Sequence, residues 1–287
     1  MKSVKDWDED YLNELIKLAE KESLTLEYKA SAALKNSDKE KNDLAKDVSA
    51  LANSAGGILV YGMLEKDKHV PTAIDVGVDR NAITKEWLES VIKGHIQPAV
   101  GDLIIKQIEL TSKGADKVAY AIEIPQATSR APHQANDHRY YKRSNFESKP
   151  MEDYEVRDAM RRSIDYGRQY GAAWDLNMEV NRLLSAADER ARLDGYPFLR
   201  RDRLLIGVSN ALRSSGNAMI LLEKPIREDV AALISIVDAY NSVVETVDPG
   251  QGENARMSER LRSRLAEIRS VGQRISTALT TVLQKEP

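Results

Sequence analysis

The stretch from Leu44 to Met63 constrains the fold more than any other part of the chain. Leu44, Val48, Leu51 and Ala52 recur every three or four residues, which is one face of a helix, and Gly56 and Gly57 then stop it before the apolar run ILVYGM. A helix, a glycine turn and a buried strand follow one another within twenty residues, so an amphipathic helix must lie on a sheet. The same alternation extends on both sides. Tyr11, Leu12, Leu15, Ile16 and Leu18 predict a helix over about 9–19, and SLTLEYKAS alternates Leu24, Leu26 and Tyr28 as a strand. Another helix is expected over 84–95, then a hairpin of DLIIKQIEL with KVAYAIEIP turning at Lys113 to Asp116, a strand in HRYYKRS, and helical spacing over 151–166.

Beyond about residue 167 the strand signals fade and only helical stripes remain. These run through Leu176, Val180, Leu183 and Ala187, then Val230, Leu233, Val237, Tyr240 and Val244. The last runs from Met257 through Leu261, Leu265, Ile268, Val271, Ile275 and Leu279 to Val282. Breaks fall near Gly195 to Pro197, Ser214 to Asn217 and Asp248 to Gly252. The expectation is an α/β (α+β) N-terminal domain with a mixed sheet over 1–167, followed by an all-α antiparallel bundle of three to five helices over 168–287. The bundle is expected to serve oligomerisation or partner binding.

Charge narrows the function classes. Lys and Arg number 42 against 45 Asp and Glu, so there is no global field to attract a polyanion, and any nucleic-acid affinity needs a local patch. The absence of Cys excludes disulfides, thiolate zinc sites and cysteine nucleophiles, and suits a cytoplasmic setting. MKSVKDWDEDYLNEL shows no basic start before an apolar run, so no secretory leader is expected, and no stretch approaches the roughly 20 apolar residues that span a bilayer. The four histidines show neither an H-E-x-x-H helix nor a Cys partner, which argues against zinc. No P-loop and no G-x-S-x-G elbow is present, which argues against ATP hydrolysis and a serine triad.

Two groups of residues carry chemistry. Glu22 and Glu27 precede the helix–glycine–strand unit, and Glu65 and Asp67 follow it. If the two strands are neighbours, Glu27 and Glu65 converge near one sheet edge, and two or three carboxylates are what Mg²⁺ or Mn²⁺ requires. Glu22, five residues from Glu27, would then have to sit in the turn before the strand, because regular alternation would point the two to opposite faces. Spacing alone favours solvated surface acids. The second group is basic: Lys29, Lys46, Lys93, and a run holding Arg130, His133, His138, Arg139, Tyr140, Tyr141, Lys142 and Arg143. It reads as a phosphate-contacting surface with stacking rings, or equally as a solvated strand with half-buried tyrosines. Asn53 caps its helix end or touches a ligand, and the glycines read as turn geometry. The Arg-rich face of the last helix, Arg256, Arg260, Arg262, Arg264, Arg269 and Arg274, is interleaved with acids and reads first as solvated.

ESLTLEYKAS, then KDVSALANSAGGILVYGM, then RYYKRSNFESKPM before a helix resembles the Schlafen AlbA_2 domain over about residues 10–165. The shared elements are an acid, an aromatic and a Lys on the first strand, an A-N-x-x-G-G helix end leading into a hydrophobic-x-G strand, and a Y-x-R segment. The resemblance implies nucleic-acid binding. Several Schlafen proteins are metal-dependent endoribonucleases acting on structured RNA, with two glutamates five apart and a third acid beyond the glycine strand. Glu22, Glu27 and Glu65 match those positions as catalytic and metal-binding residues, Mg²⁺ or Mn²⁺ being implied, although Asp is usual at the third. Lys29, Lys46, Arg130, His133, Arg139, Tyr141, Lys142 and Arg143 are the expected nucleic-acid contacts. The expected partner is RNA such as tRNA, or DNA. Related eukaryotic cores have two lobes where this chain has one, so a homo-oligomer joined through the C-terminal helices would restore a two-sided groove. The alternatives are a non-catalytic DNA-binding regulator, or a structural subunit of an antiviral assembly with a protein partner.

Overall fold

The computed structural model describes residues 2–66, 69–193, 201–209, 212–213, 219–246 and 259–284. The chain divides into two compact units, one ending at Ile164 and the other beginning at Asp165. The expected order of an α/β region followed by helices is what the structure has.

In the first unit a mixed five-stranded sheet is built on β8 (Lys117–Ile124), which pairs antiparallel with β2 (Gly57–Tyr61), β7 (Ile104–Glu109) and the short β5 (Val78–Asp79). Strand β1 (Leu26–Lys29) runs parallel to β2, with Glu27 opposite Leu59. The β7–β8 pair is the expected hairpin. On one face of the sheet lie α2 (Asp38–Ala52) and α3 (Lys85–His95), burying Leu44, Val48, Leu51, Leu88 and Ile92 against Leu59, Tyr61, Tyr120 and Ile122. On the other face α1 (Glu9–Lys17) packs Tyr11, Leu12 and Leu15 against Leu26, Tyr28, Val60 and Ala121. Period-2 alternation thus sends Tyr28 to the α1 side and Glu27 to the α2 side.

Gly56 and Gly57 hold φ of +71° and +152°, and a Cβ on either would come within 2.7 Å of Ile124 O or 2.5 Å of Thr25 O. Only glycine lets β2 begin so tightly between β1 and β8. Two small hairpins complete the unit: β3 (Met63–Lys66) with β4 (Val70–Ile74), and β10 (Tyr141–Ser144) with β11 (Glu147–Pro150). A two-stranded pair joins β6 (Ile96–Gln97) to β9 (Gln134–Ala135). The strand predicted to include Leu24 starts later, at Leu26; Leu24 lies exposed in a turn closed by the Ser23–Leu26 bridge.

Helix α4 (Asp153–Arg192) is continuous for 40 residues, so the division between the units falls inside a helix rather than at a linker. In the second unit its later turns join α5 (Arg201–Leu204), α6 (Lys224–Thr246) and α7 (Glu259–Leu283). The predicted stripes form the core: Val180, Leu183, Val230, Leu233, Val237, Ile268 and Ile275 are fully buried. A Cβ on Gly272 would lie 2.7 Å from Leu184 Cδ2, so glycine sets how closely α7 approaches α4. Asn241 clamps the chain at Ile206 through its backbone N–H and C=O, at 2.9 and 2.8 Å. Asp67, Met257, Arg256 and the breaks at 195–197, 214–217 and 248–252 lie outside the described residues. No helix among the described residues is long and apolar enough to cross a membrane.

Candidate metal centre and nucleic-acid interface

Glu22 sits in the turn before β1, as its spacing from Glu27 requires. Its Oε1 accepts from Tyr28 N at 2.9 Å, and its backbone N–H donates to His69 O at 2.9 Å. The β3–β4 hairpin then brings two more donors to the same place. His69 Nδ1 lies 2.6 Å from Glu22 Oε2 and 3.8 Å from Glu65 Oε2, and one ligand atom from each of the three residues lies within 4.8 Å of the others. Glu22 is buried, while the side chains of Glu65 and His69 are 29% and 42% exposed, so the group opens to solvent on one side. The His69 ring stacks on Phe146, at the tip of the β10–β11 hairpin, with centroids 4.2 Å apart.

Burial, reinforced by the Glu22 carboxylate beside it, pushes the Glu65 carboxyl up to about 7, against the pull of His69 and Lys29. Two carboxylates therefore share a partly buried space with one imidazole, and their charge is not balanced locally. That is the donor set and charge imbalance a divalent cation relieves, and these three residues could hold one.

Glu27 belongs to a different group. On the α2 face its carboxylate pairs with Lys29 and with Arg143, whose side chain is fully buried. Lys29 Nζ also lies 3.5 Å from Asp47 Oδ2, and Asp47 Oδ1 accepts from Ser148 Oγ at 2.8 Å. Burial and then Asp47 raise the Glu27 carboxyl, with Lys29 and Arg143 opposing. Burial alone would lower the Lys29 ammonium, but Asp47 and Glu27 outweigh it and raise it. The Glu22 charge also acts on Lys29, and that of Lys29 on Glu65, so the two groups are electrostatically linked.

The basic run does not form one surface. Arg143, expected on phosphates, is turned inward because β10 alternates and its face at Tyr141 and Arg143 meets α2. Tyr141 is likewise buried, its hydroxyl donating to Asp137 and its ring under Lys46 Nζ at 6.0 Å, so it is no exposed stacking platform. Lys142 pairs with Glu155. Arg139 is exposed, and Arg130 and His133 line a cavity between the chain at 99–102 and the chain at 125–133. Asn53 is a brace: its Nδ2 donates to His133 O and Tyr141 O at 2.8 and 2.9 Å, and its Oδ1 accepts from His133 N at 2.6 Å.

Two functional candidates, His69 and Phe146, stand out only in the structure. His69 is four residues from Glu65, but with φ of +59° at His69 its ring lies against Glu22, and periodicity carries no such signal.

Comparison with known proteins bears on the first unit. Residues 22–152 match the family model described as Schlafen, AlbA_2. No curated protein matches the chain. Among solved structures, the DIP2311 protein from Corynebacterium diphtheriae is 20% identical over 49% of this chain, with a TM-score of 0.33. The match spans 24% of that protein's chain. The matched region holds the Asn53 brace, the glycine turn and both acidic groups. Residues 22–152 are thus similar to the Schlafen AlbA_2 domain, a family that suggests nucleic-acid binding.

Proposed function

We propose that this protein is a divalent-metal-dependent endoribonuclease acting on structured RNA such as tRNA, with Glu22, Glu65 and His69 holding the ion. The observation that carries the reading is the meeting of two carboxylates and an imidazole within 4.8 Å beside an opening to solvent. A bound Mg²⁺ or Mn²⁺ would supply Lewis-acid stabilisation of the phosphodiester and a more acidic water. The chain's own residues do the rest. Tyr28 N fixes one Glu22 oxygen, leaving the other for the site, and Phe146 holds the His69 ring in its plane. Lys29, a third exposed and held by Glu27 and Asp47, supplies positive charge for a phosphate near the centre. Glu27, matched by motif to a ligand position, instead fixes Lys29 and Arg143, so its effect on catalysis comes through Lys29. Arg130, Arg139 and Lys46 are the remaining basic contacts in this reading.

The test incubates purified protein with tRNA and with DNA, in Mn²⁺, Mg²⁺ or chelator, beside Glu65→Gln. Metal-stimulated cleavage of RNA, lost in the variant and in chelator, is the expected result. Binding without cleavage under every metal condition would overturn the nuclease reading and leave a binding module.

Self-association through the helical unit belongs to the same proposal, and Trp174 and Met178, apolar and more than half exposed on α4, support it. Light scattering on the full chain should give a multiple of 32.1 kDa. A cytoplasmic setting fits a chain without Cys.

A further inference from the structure

The cavity lined by Arg130 and His133 lies apart from both acidic groups and has a volume of about 170 Å³. Sites for drug-sized ligands run to about 300–1,000 Å³, so this one suits a single ring system rather than a whole nucleotide. Its walls are pinned. Ala127 N donates to Ala52 O at 2.7 Å, Gln126 Nε2 to Ser54 O at 2.7 Å, and Ser163 Oγ to Ser129 O at 2.6 Å. The loop over 125–130 is therefore held at the end of α2 and at α4 before any ligand arrives, and a preformed site loses less freedom on binding.

The polar groups facing the cavity have a definite donor and acceptor pattern. His133 is 4% exposed, and its Nδ1 lies 2.7 Å from Pro98 O; a carbonyl only accepts, so Nδ1 carries the hydrogen. Burial holds the ring below its ordinary range, with Arg130 nearby pushing the same way and the Pro98 contact opposing, so the ring is neutral and Nε2 offers a lone pair. Asp102 adds carboxylate acceptors. Thr128 Oγ1 is buried with no hydrogen-bond partner among the described residues, an arrangement a folded chain seldom leaves unused. Arg130 adds N–H donors.

An anion would meet two acceptors here and one cation, a poor match. A flat ring presenting adjacent N–H donors together with a carbonyl fits, and among the four RNA bases guanine is the one whose pairing edge offers two neighbouring N–H groups beside an acceptor oxygen. We propose that this cavity receives one unpaired guanine base of the bound RNA, read by His133 and Asp102 as acceptors, Arg130 as donor and the Thr128 hydroxyl. Unpaired bases splayed from structured RNA are what sequence-reading sites engage. The inference rests on the RNA-binding reading and adds the base that is read.

The test uses two single-stranded RNA hexamers that differ only in a central G or A, titrated into the full chain by fluorescence anisotropy in chelator, so that cleavage is silent. The guanine hexamer should bind roughly tenfold tighter, about what one or two lost hydrogen bonds cost. Thr128→Val, which keeps the side-chain shape, should bring the two within about twofold. His133→Asn, which keeps a donor for Pro98 O and removes Nε2, should do the same, while Glu65→Gln should leave the preference intact. Equal affinity for the hexamers, or binding of neither, overturns the inference. So does displacement of the guanine hexamer by inorganic phosphate from wild type but not from Thr128→Val, which would assign the cavity to an anion. Cleavage is measured separately with metal: cleavage without guanine preference removes the pocket and keeps the nuclease, and preference without cleavage does the reverse.

Discussion

The two acidic groups at β1 stand in contrast. Around Glu27 and Asp47 the charges close on themselves, two carboxylates against Lys29 and the buried Arg143. Around Glu22 and Glu65 two carboxylates meet one imidazole, and Glu65 responds by holding a proton up to about 7. Glu27 lies on the α2 face of β1 while Glu22 precedes the strand, so carboxylates five residues apart meet different neighbours. A balanced group suits a structural role; an unbalanced one is where the proposed cation would bind.

The largest effect should come from breaking the balanced group. Arg143→Met leaves Glu27 buried with only Lys29, and losing one partner of a buried pair costs about 3–5 kcal/mol, read as a fall in the urea midpoint. The double variant Glu27→Gln with Arg143→Met should recover much of that loss; additive losses would show that the pair is not coupled.

Removing a carboxylate from the unbalanced group should act the other way round. Glu65→Gln should lower Mn²⁺ affinity by roughly 100-fold in calorimetry, since it deletes a charged ligand, while stability holds or rises because Glu22 loses a like-charged neighbour. A drop in stability comparable to that of Arg143→Met would erase the distinction between the two groups.

A pH series sharpens it further. Protons compete with the ion for Glu65, so Mn²⁺ affinity should climb up to about tenfold per pH unit below about 7 and level off above. The sign for folding is the opposite. The native carboxyl binds its proton more tightly than the unfolded one, whose value is near 4.5, so its contribution to stability is full below 4.5 and is lost as pH rises to about 7. Glu65→Gln should flatten both dependences. The smallest effect is expected of Phe146→Ala, which frees the His69 ring and should weaken Mn²⁺ binding about threefold, in line with the modest worth of a ring stack.

The helix and strand around LANSAGGILVYGM were legible because two periods meet at two glycines whose φ and tight spacing allow nothing else. The apolar stripes of the helical unit were legible for the same reason. Glu22 and Glu65 were visible as acids flanking that junction. His69 was not, because its approach to Glu22 depends on where the β3–β4 pair lies beside the start of β1, a three-dimensional fact without a local pattern. Arg143 was misplaced on the surface because a run of basic residues suggests solvent. The alternation of buried Tyr141 and Arg143 with half-buried Lys142 and Ser144 emerges only once β10 is packed on α2. Helix α4 passes through Gly167 and Gly171 without a break, since neither glycine has the positive φ that ends a helix.

Asn53 has a consequence for how the protein ages. Its amide nitrogen donates to two carbonyls and its oxygen takes a third hydrogen bond, so one side chain links the end of α2, the cavity wall at His133 and strand β10. Asn followed by Ser is a sequence open to spontaneous deamidation, and the product carboxylate would face the His133 and Tyr141 carbonyls with no hydrogen to give. A single hydrolysed amide, adding one dalton and one negative charge, would cost both donated bonds and keep only the one from His133 N, loosening β10 from the end of α2.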